Sequence, residues 1–183
     1  DYLVDLTPAV GVVGGIDGAT SSYWRNYVNT GIAPASLIDE MEIAYRKCRR
    51  NGGAPDRIYV GSNFLDTFRT QAKAEISRYT VLNTGGQSAE LDPSVTGLHF
   101  HGTPFTWVPE FENLDIALAP ATLWEDRCYF INSKTIKLRP ATGHDMVTRD
   151  VPREYNRYVW YWAITWKGAL TCNRRNANAL LSL

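Results

Sequence analysis

His99 and His101 are separated by a single residue. On a strand both imidazoles would leave the same face, the placement from which a metal site can be built. Metal chemistry also requires a third protein ligand and groups that orient the ligands, and only His144 and scattered carboxylates are on offer, at unspecified distance. The pair is therefore a weak metal candidate, set against a bland alternative of surface or hydrogen-bonded histidines on an edge strand. Gly11, Gly14, Gly15 and Gly18 would suit a phosphate loop, but no Gly-Lys-Ser/Thr follows them. They read better as a turn or bulge where backbones approach closely. There is no Gly-x-Ser-x-Gly elbow to activate a serine. Arg46, Lys47, Arg49 and Arg50 could touch phosphate, although a solvated helix end explains them more simply. Trp160, Trp162 and Trp166 have flat faces that could stack on sugar rings; a buried sheet face is the preferred reading of such a run.

The bulk properties limit what these residues can serve. Nineteen Lys and Arg balance nineteen Asp and Glu across 183 residues, which leaves no cationic excess for a dedicated nucleic-acid binder. With 44% apolar and 21% charged residues the composition is that of an ordered globular chain. Cys48, Cys128 and Cys172 are odd in number and widely spaced, which argues against a disulfide framework or a zinc cluster and fits a reducing cytoplasm. No apolar run approaches the roughly twenty residues of a membrane span, and the first residues lack the pattern of a signal peptide. The chain opens on Asp1 without Met and runs straight into Tyr2, Leu3 and Val4, which reads as a cut end.

The elements that must position these side chains fall into two halves. Residues 1 to 32 mix short apolar runs (Leu3 to Leu6, Val10 to Gly18, Tyr23 to Val28) with glycine, and suggest extended segments joined by loops. Leu37, Ile38, Met41, Ala44, Tyr45 and Cys48 then fall on one helical stripe, which would pack the Cys48 thiol as a small hydrophobe. Ser36 is placed to cap this helix with Asp39 in the capping-box position, while acids fill its first half and bases its second. Gly52 and Gly53 can end it, and Pro55 prevents resumption. Ile58 to Val60 reads as a buried strand, followed by a second helix capped by Ser62 or Asn63 with Phe64, Leu65, Phe68 and Ala72 on one face. Beyond about Ile76 the pattern changes to strands: Tyr79 to Leu82, Leu98 to Phe100, Phe105 to Val108, Ile116 to Leu118, Cys128 to Ile131 and Thr135 to Leu138. The longest strand is expected at Tyr158 to Lys167, where large side chains alternate without interruption. The expected class is α+β.

Several segments, taken in order, resemble the major capsid proteins of tailed phages and prophages, the Hong Kong-97-type capsid family. Val13-Gly14-Gly15-Ile16-Asp17 followed by Tyr23-Trp24-Arg25-Asn26 looks like that family's Gly-Gly-Ile and aromatic-Trp-Arg-Asn segment. The helix ending in Tyr45-Arg46-Lys47-Cys48 comes next, then Pro55-Asp56-Arg57-Ile58 entering a strand. Tyr129-Phe130-Ile131-Asn132-Ser133-Lys134, with Ile136-Lys137-Leu138-Arg139 after it, resembles the Tyr-Phe-Leu-Asn-Thr-Lys segment and its Leu-x-Leu-Arg continuation, and is the most specific match. Trp166-Lys167-Gly168-Ala169-Leu170-Thr171-Cys172-Asn173-Arg174-Arg175 looks like a Trp-Ala-Gly-Asn-Leu-Thr-Cys-Ser-Asn-Arg ending, from which Lys167 and Ala169 depart. The similarity spans nearly the whole chain, and its weight lies in the shared order.

The resemblance implies an axial domain of helices packed on a mainly antiparallel sheet over about residues 33 to 145. Residues 1 to 32 would belong to a peripheral domain, and residues 146 to 183 would form a long strand and tail returning to the sheet. It implies a structural protein with no catalytic residues and no cofactor, whose partners are copies of itself in pentamers and hexamers, with portal, scaffold or decoration proteins as further candidates. DNA would be enclosed without sequence-specific binding, no membrane would be involved, and the virion would be assembled in the bacterial host cytoplasm. The family's N-terminal arm, extended loop and spine helix are not in these residues, so a monomer or weak oligomer is expected from them. The competing readings are a β-rich ligand- or glycan-binding module using Trp160, Trp162 and Trp166, and a metal hydrolase using His99 and His101.

Overall fold

A computed structural model describes residues 3–79, 98–118, 120, 122–150 and 162–183. The stripe from Leu37 to Cys48 forms helix α1 (Leu37–Arg50), with Leu37, Met41, Ala44, Tyr45 and Cys48 buried. Its cap differs from the expectation. The Ser36 hydroxyl turns back to the Ala33 carbonyl and makes no cap bond. Gln71 takes over from helix α2 (Ser62–Tyr79): its Oε1 accepts from Ile38 N at 3.1 Å while its Nε2 donates to Ala35 O at 2.8 Å. One amide thus satisfies an orphan donor at the start of α1 and ties the two helices together.

Ser62 and Asn63 lie inside α2 and do not cap it. Gly61 precedes the helix, and a Cβ there would sit 2.2 Å from the Glu125 carbonyl oxygen, so glycine is what lets the two backbones meet. That contact permits Phe64 N to donate to Glu125 O at 3.2 Å. Phe64, Leu65 and Phe68 are buried as expected. Tyr79, expected in a strand, is the last residue of α2, and the remainder of that expected strand lies outside the described residues.

Around these helices runs a six-stranded mixed sheet. In spatial order its strands are β3 (Tyr27–Asn29), β12 (Ala179–Ser182), β7 (Arg127–Ile131), β4 (Arg57–Val60), β6 (Thr103–Trp107) and β5 (His99–Phe100). β12 runs parallel to β3 and antiparallel to β7; β4 runs parallel to β6 and antiparallel to β7. Alternation sorts the side chains. Ile58 and Val60, Phe105, Cys128 and Phe130, Ala179 and Leu181 share one face and form a single cluster with α1 and α2. On the opposite face Tyr129 contacts Phe111 at 5.7 Å and Trp124 at 6.4 Å between ring centroids. Phe111 belongs to α3 (Glu110–Leu118), so helices cover both faces and the fold class is α+β, with three α-helices among the described residues.

α3 corrects the strand expected at Ile116 to Leu118. Pro109 precedes it and Glu110 and Glu112 occupy its first turn, where the helix dipole favours acids. Tyr23 to Val28 is likewise not one extended run, since Ser22–Trp24 is a short 3-10 turn ahead of β3. The glycine stretch forms a hairpin of β1 (Val12–Val13) and β2 (Ile16–Asp17), with Gly14 and Gly15 at φ of +64° and +79° in its two-residue turn. Positive φ at both central positions is what such a turn demands, and glycine adopts it without strain.

The contacts divide the chain into Asp1–Ser133 with Arg174–Leu183, and Lys134–Asn173. The second unit contains two antiparallel ribbons. β8 (Ile136–Pro140) pairs with β11 (Gly168–Cys172), and β9 (Val147–Asp150) pairs with β10 (Trp162–Thr165). Residues 158–161 of the expected ten-residue strand lie outside the described residues, and the rest of it is interrupted. β10 stops at Thr165, and Lys167 exchanges backbone hydrogen bonds with Ala141 and His144 before β11 begins on another partner. No helix among the described residues is long and apolar enough to cross a membrane.

Removing the inter-helix cap isolates its contribution. Gln71→Ala is expected to lower unfolding free energy by about 1 kcal/mol in urea titrations, whereas Ser36→Ala should change it by less than about 0.5 kcal/mol.

Candidate functional site

The two histidines part company in the structure. His99 sits in β5, but His101 lies in the turn after it at φ of +49°, followed by Gly102 at +78°. They therefore do not project from one strand face, which corrects the geometry expected of a metal pair. The His101 ring stacks on Tyr45 at 4.2 Å with planes 8° apart, and Nε2 meets Glu42 Oε1 at 2.5 Å. Both partners belong to α1, so His101 fastens the β5–β6 turn to that helix. Among the described residues no group of three His, Cys, Asp or Glu is placed to hold a metal ion.

The other chemical candidates resolve similarly. Arg46, Lys47, Arg49 and Arg50 are all exposed at the end of α1, as a solvated helix terminus would have them. Cys48 and Cys128 are fully buried, and burial pushes the Cys48 thiol up to about 12 and that of Cys128 well above its usual range. Neither supplies a thiolate near neutral pH. Trp162 is 79% exposed and Ile164 68%, which overturns the expectation of a buried face there; Trp166 is exposed too, and Trp160 lies outside the described residues.

A buried polar junction does form, and it gathers residues far apart in sequence. Asn26, Asn132, Arg175 and Asn178 are each at most 3% exposed. The Asn26 amide copies a strand partner: Oδ1 accepts from Asp5 N at 3.2 Å and Nδ2 donates to Asp5 O at 2.9 Å. The Arg175 guanidinium donates through Nε to Leu3 O at 2.8 Å and through an Nη to Asn26 Oδ1 at 3.4 Å. Asn178 Oδ1 accepts from Asn132 N at 2.8 Å, its Nδ2 donates to Arg174 O at 3.1 Å, and its carbonyl accepts from Tyr27 N at 3.2 Å. Nearby, Arg25 donates to the Gly18 and Ala19 carbonyls. These groups bind backbone, and their chemistry is that of fixing chain crossings.

Asp56, next to Pro55 at the entry to β4, does the same for the turn after β7. Its carboxylate accepts from Ser133 N at 2.8 Å and from the Ser133 hydroxyl. Burial raises the Asp56 carboxyl, but those bonds and the Arg57 charge outweigh it and hold the group below its usual range.

Of the residues singled out by sequence, Tyr45, Cys48 and Phe130 enter the core and Asn26 and Asn132 meet in the junction region. Trp24 is buried. Leu138, Arg139, Gly168, Thr171 and Cys172 lie in the β8–β11 ribbon, with Leu138 opposite Leu170 and Cys172 opposite Ile136. Asn173 closes that ribbon by donating from its backbone N to Thr135 O at 3.0 Å. Gln71, Asn178 and Arg127 were not anticipated. Arg127 is 5% exposed and lies over Trp124 at 4.0 Å, with an Nη donating to Thr122 O. Nothing in the spacing of Asn178 or Arg127 marks either as buried, whereas Arg175 stood at the end of a quoted motif. No protein-family model matches the chain, and no curated protein matches it.

Two outcomes follow from this geometry. Arg175→Met should strand the Leu3 carbonyl and weaken the Asn26 contact at a cost of about 2–4 kcal/mol in equilibrium unfolding. Native protein treated with a disulfide reagent at pH 8 should show fast reaction at Cys172 alone, Cys48 and Cys128 responding only after denaturation; rapid titration of all three thiols would contradict the burial described.

Proposed function

We propose that this chain is the structural subunit of an icosahedral tailed-phage head, a Hong Kong-97-type major capsid protein whose pentamers and hexamers enclose the DNA genome. The observation that carries the reading is what the resemblance-bearing residues do. The Asn26 and Asp56 side chains tie distant backbone segments together, the Asn132 backbone N–H is held by Asn178, and Tyr45, Cys48 and Phe130 fill the core. A container protein depends on such positions for shape, because its chemistry is the fit of one copy against another.

The α+β arrangement of two helices on one face of a mixed sheet and a third on the other is compatible with an axial domain of that kind. On this reading the β8–β11 and β9–β10 ribbons are remaining peripheral-domain strands, the partners are further copies together with portal, scaffold or decoration proteins, and the location is the virion. The protein is not an enzyme and takes no cofactor. A second reading, a β-rich ligand- or glycan-binding module, draws on the exposure of Trp162.

Extending the chain with the arm, loop and spine helix of the family and expressing it in bacteria discriminates the two. Closed shells of uniform diameter in negative-stain micrographs are expected. A monodisperse monomer whose tryptophan fluorescence is quenched by glycans would favour the binding module and sink the capsid reading.

A further inference from the structure

Charge is divided unevenly along this neutral chain. Residues 134–173 contain seven Lys and Arg against three Asp and Glu, a net charge of +4, which leaves −4 on the remainder. The negative excess is itself concentrated. Residues 108–126 carry Glu110, Glu112, Asp115, Glu125 and Asp126 with no Lys or Arg among them.

Elsewhere in that unit Asp66 pairs with Arg69 and Glu42 meets His101, while Glu40 accepts from the neutral Asn29 amide. Around α3 the pattern is different. Asp115 accepts from the Trp124 and Glu125 amides and Asp126 from Asn63, all neutral donors, while Arg127, the cation that follows in sequence, is buried over Trp124 and donates to the Thr122 carbonyl. Set among these acids is a large apolar side chain, Ile116, 84% exposed, which lines one depression with Glu112, Asp115 and Glu125. An apolar spot within a field of one sign is a poor solvent-facing surface and a good docking surface.

The complementary surface lies on the β8–β11 ribbon. Lys137 and Arg139 leave β8 on the same face, with Thr171 and Ala169 directly opposite them on β11. All four are exposed. The aliphatic stems of Lys137 and Arg139 can cover an apolar side chain while their charged ends reach surrounding carboxylates.

We propose that α3 of one copy docks, through Glu112 and Ile116 together with the neighbouring Glu125, on the Lys137–Arg139 face of the β8–β11 ribbon of a second copy of this chain. The contact is heterologous. It joins unlike surfaces, both of which every copy carries. The inference deepens the capsid reading, on which it rests, by naming the surfaces that meet.

Charge-reversed variants of the full chain test it in sedimentation velocity, with circular dichroism as the check that each is folded. Wild-type protein is expected to associate with rising concentration at low ionic strength, and the apparent Kd should weaken about ten-fold or more when salt rises from about 50 mM to about 500 mM. Glu112→Lys/Glu125→Lys and Lys137→Glu/Arg139→Glu should each lose association alone and regain it when mixed, because the mixture restores opposite charges at the junction. A wild-type chain that stays monomeric up to about 100 µM at low salt, or variants that associate as wild type does, would overturn the proposal. Carrying the same reversals into the extended, shell-forming chain separates the two ideas. Shells that form equally well with either reversal remove this contact and leave the capsid reading standing; salt-sensitive association without shells does the opposite.

Discussion

The six-stranded sheet depends on the placement of β12. This strand fills the space between β3 and β7, parallel to one and antiparallel to the other, and all four of its residues are buried. A parallel neighbour cannot be reached by a tight turn, so something other than chain connectivity must hold β3 in register. The Asn26 and Asn178 amides and the Arg175 guanidinium do so by satisfying backbone groups, the Asn132 N–H among them, on β12's approach and on the segments either side of it. Each of those bonds is worth about 0.5–1.5 kcal/mol when made, yet the desolvated groups cost more if left open, which makes the crossing specific as well as stable.

Periodic elements were the legible part. The α1 stripe, the β4 strand and the buried face of α2 follow from apolar spacing alone, since a buried surface imposes the period that the sequence displays. Elements set by neighbours were harder to read. Ile116 to Leu118 has the composition of a strand, but Pro109 and the acids after it start a helix, and Asp115 anchors that helix to Trp124 and Glu125. The Ser36 cap failed because Gln71, more than thirty positions away in sequence, occupies the donor it would have used. Local capping rules hold no information about a partner of that kind.

The site residues show the same division. Cys48 could be assigned to the core from its place on a stripe, and burial accounts for its inert thiol. His99 and His101 misled because strict alternation was assumed through a turn: at φ of +49° His101 has left the ladder, and its ring answers to Tyr45 and Glu42. Trp162 and its neighbours alternate as a buried strand would, yet alternation reports pleat geometry and says nothing of which side meets solvent. Exposed aromatic and aliphatic groups on a two-stranded ribbon are what a single copy shows when its apolar surface is matched to another molecule.

The position of β12 also governs when this protein can fold. β3 and β7 both precede β12 in the chain, and neither can complete its hydrogen bonding until residues 179 to 182 have been synthesised. Between the synthesis of β7 and that of β12 the growing chain therefore carries open strand edges on both β3 and β7, a state prone to mispairing with identical chains. Such a topology favours slow closure of the sheet and gives holdase chaperones an interval in which to act.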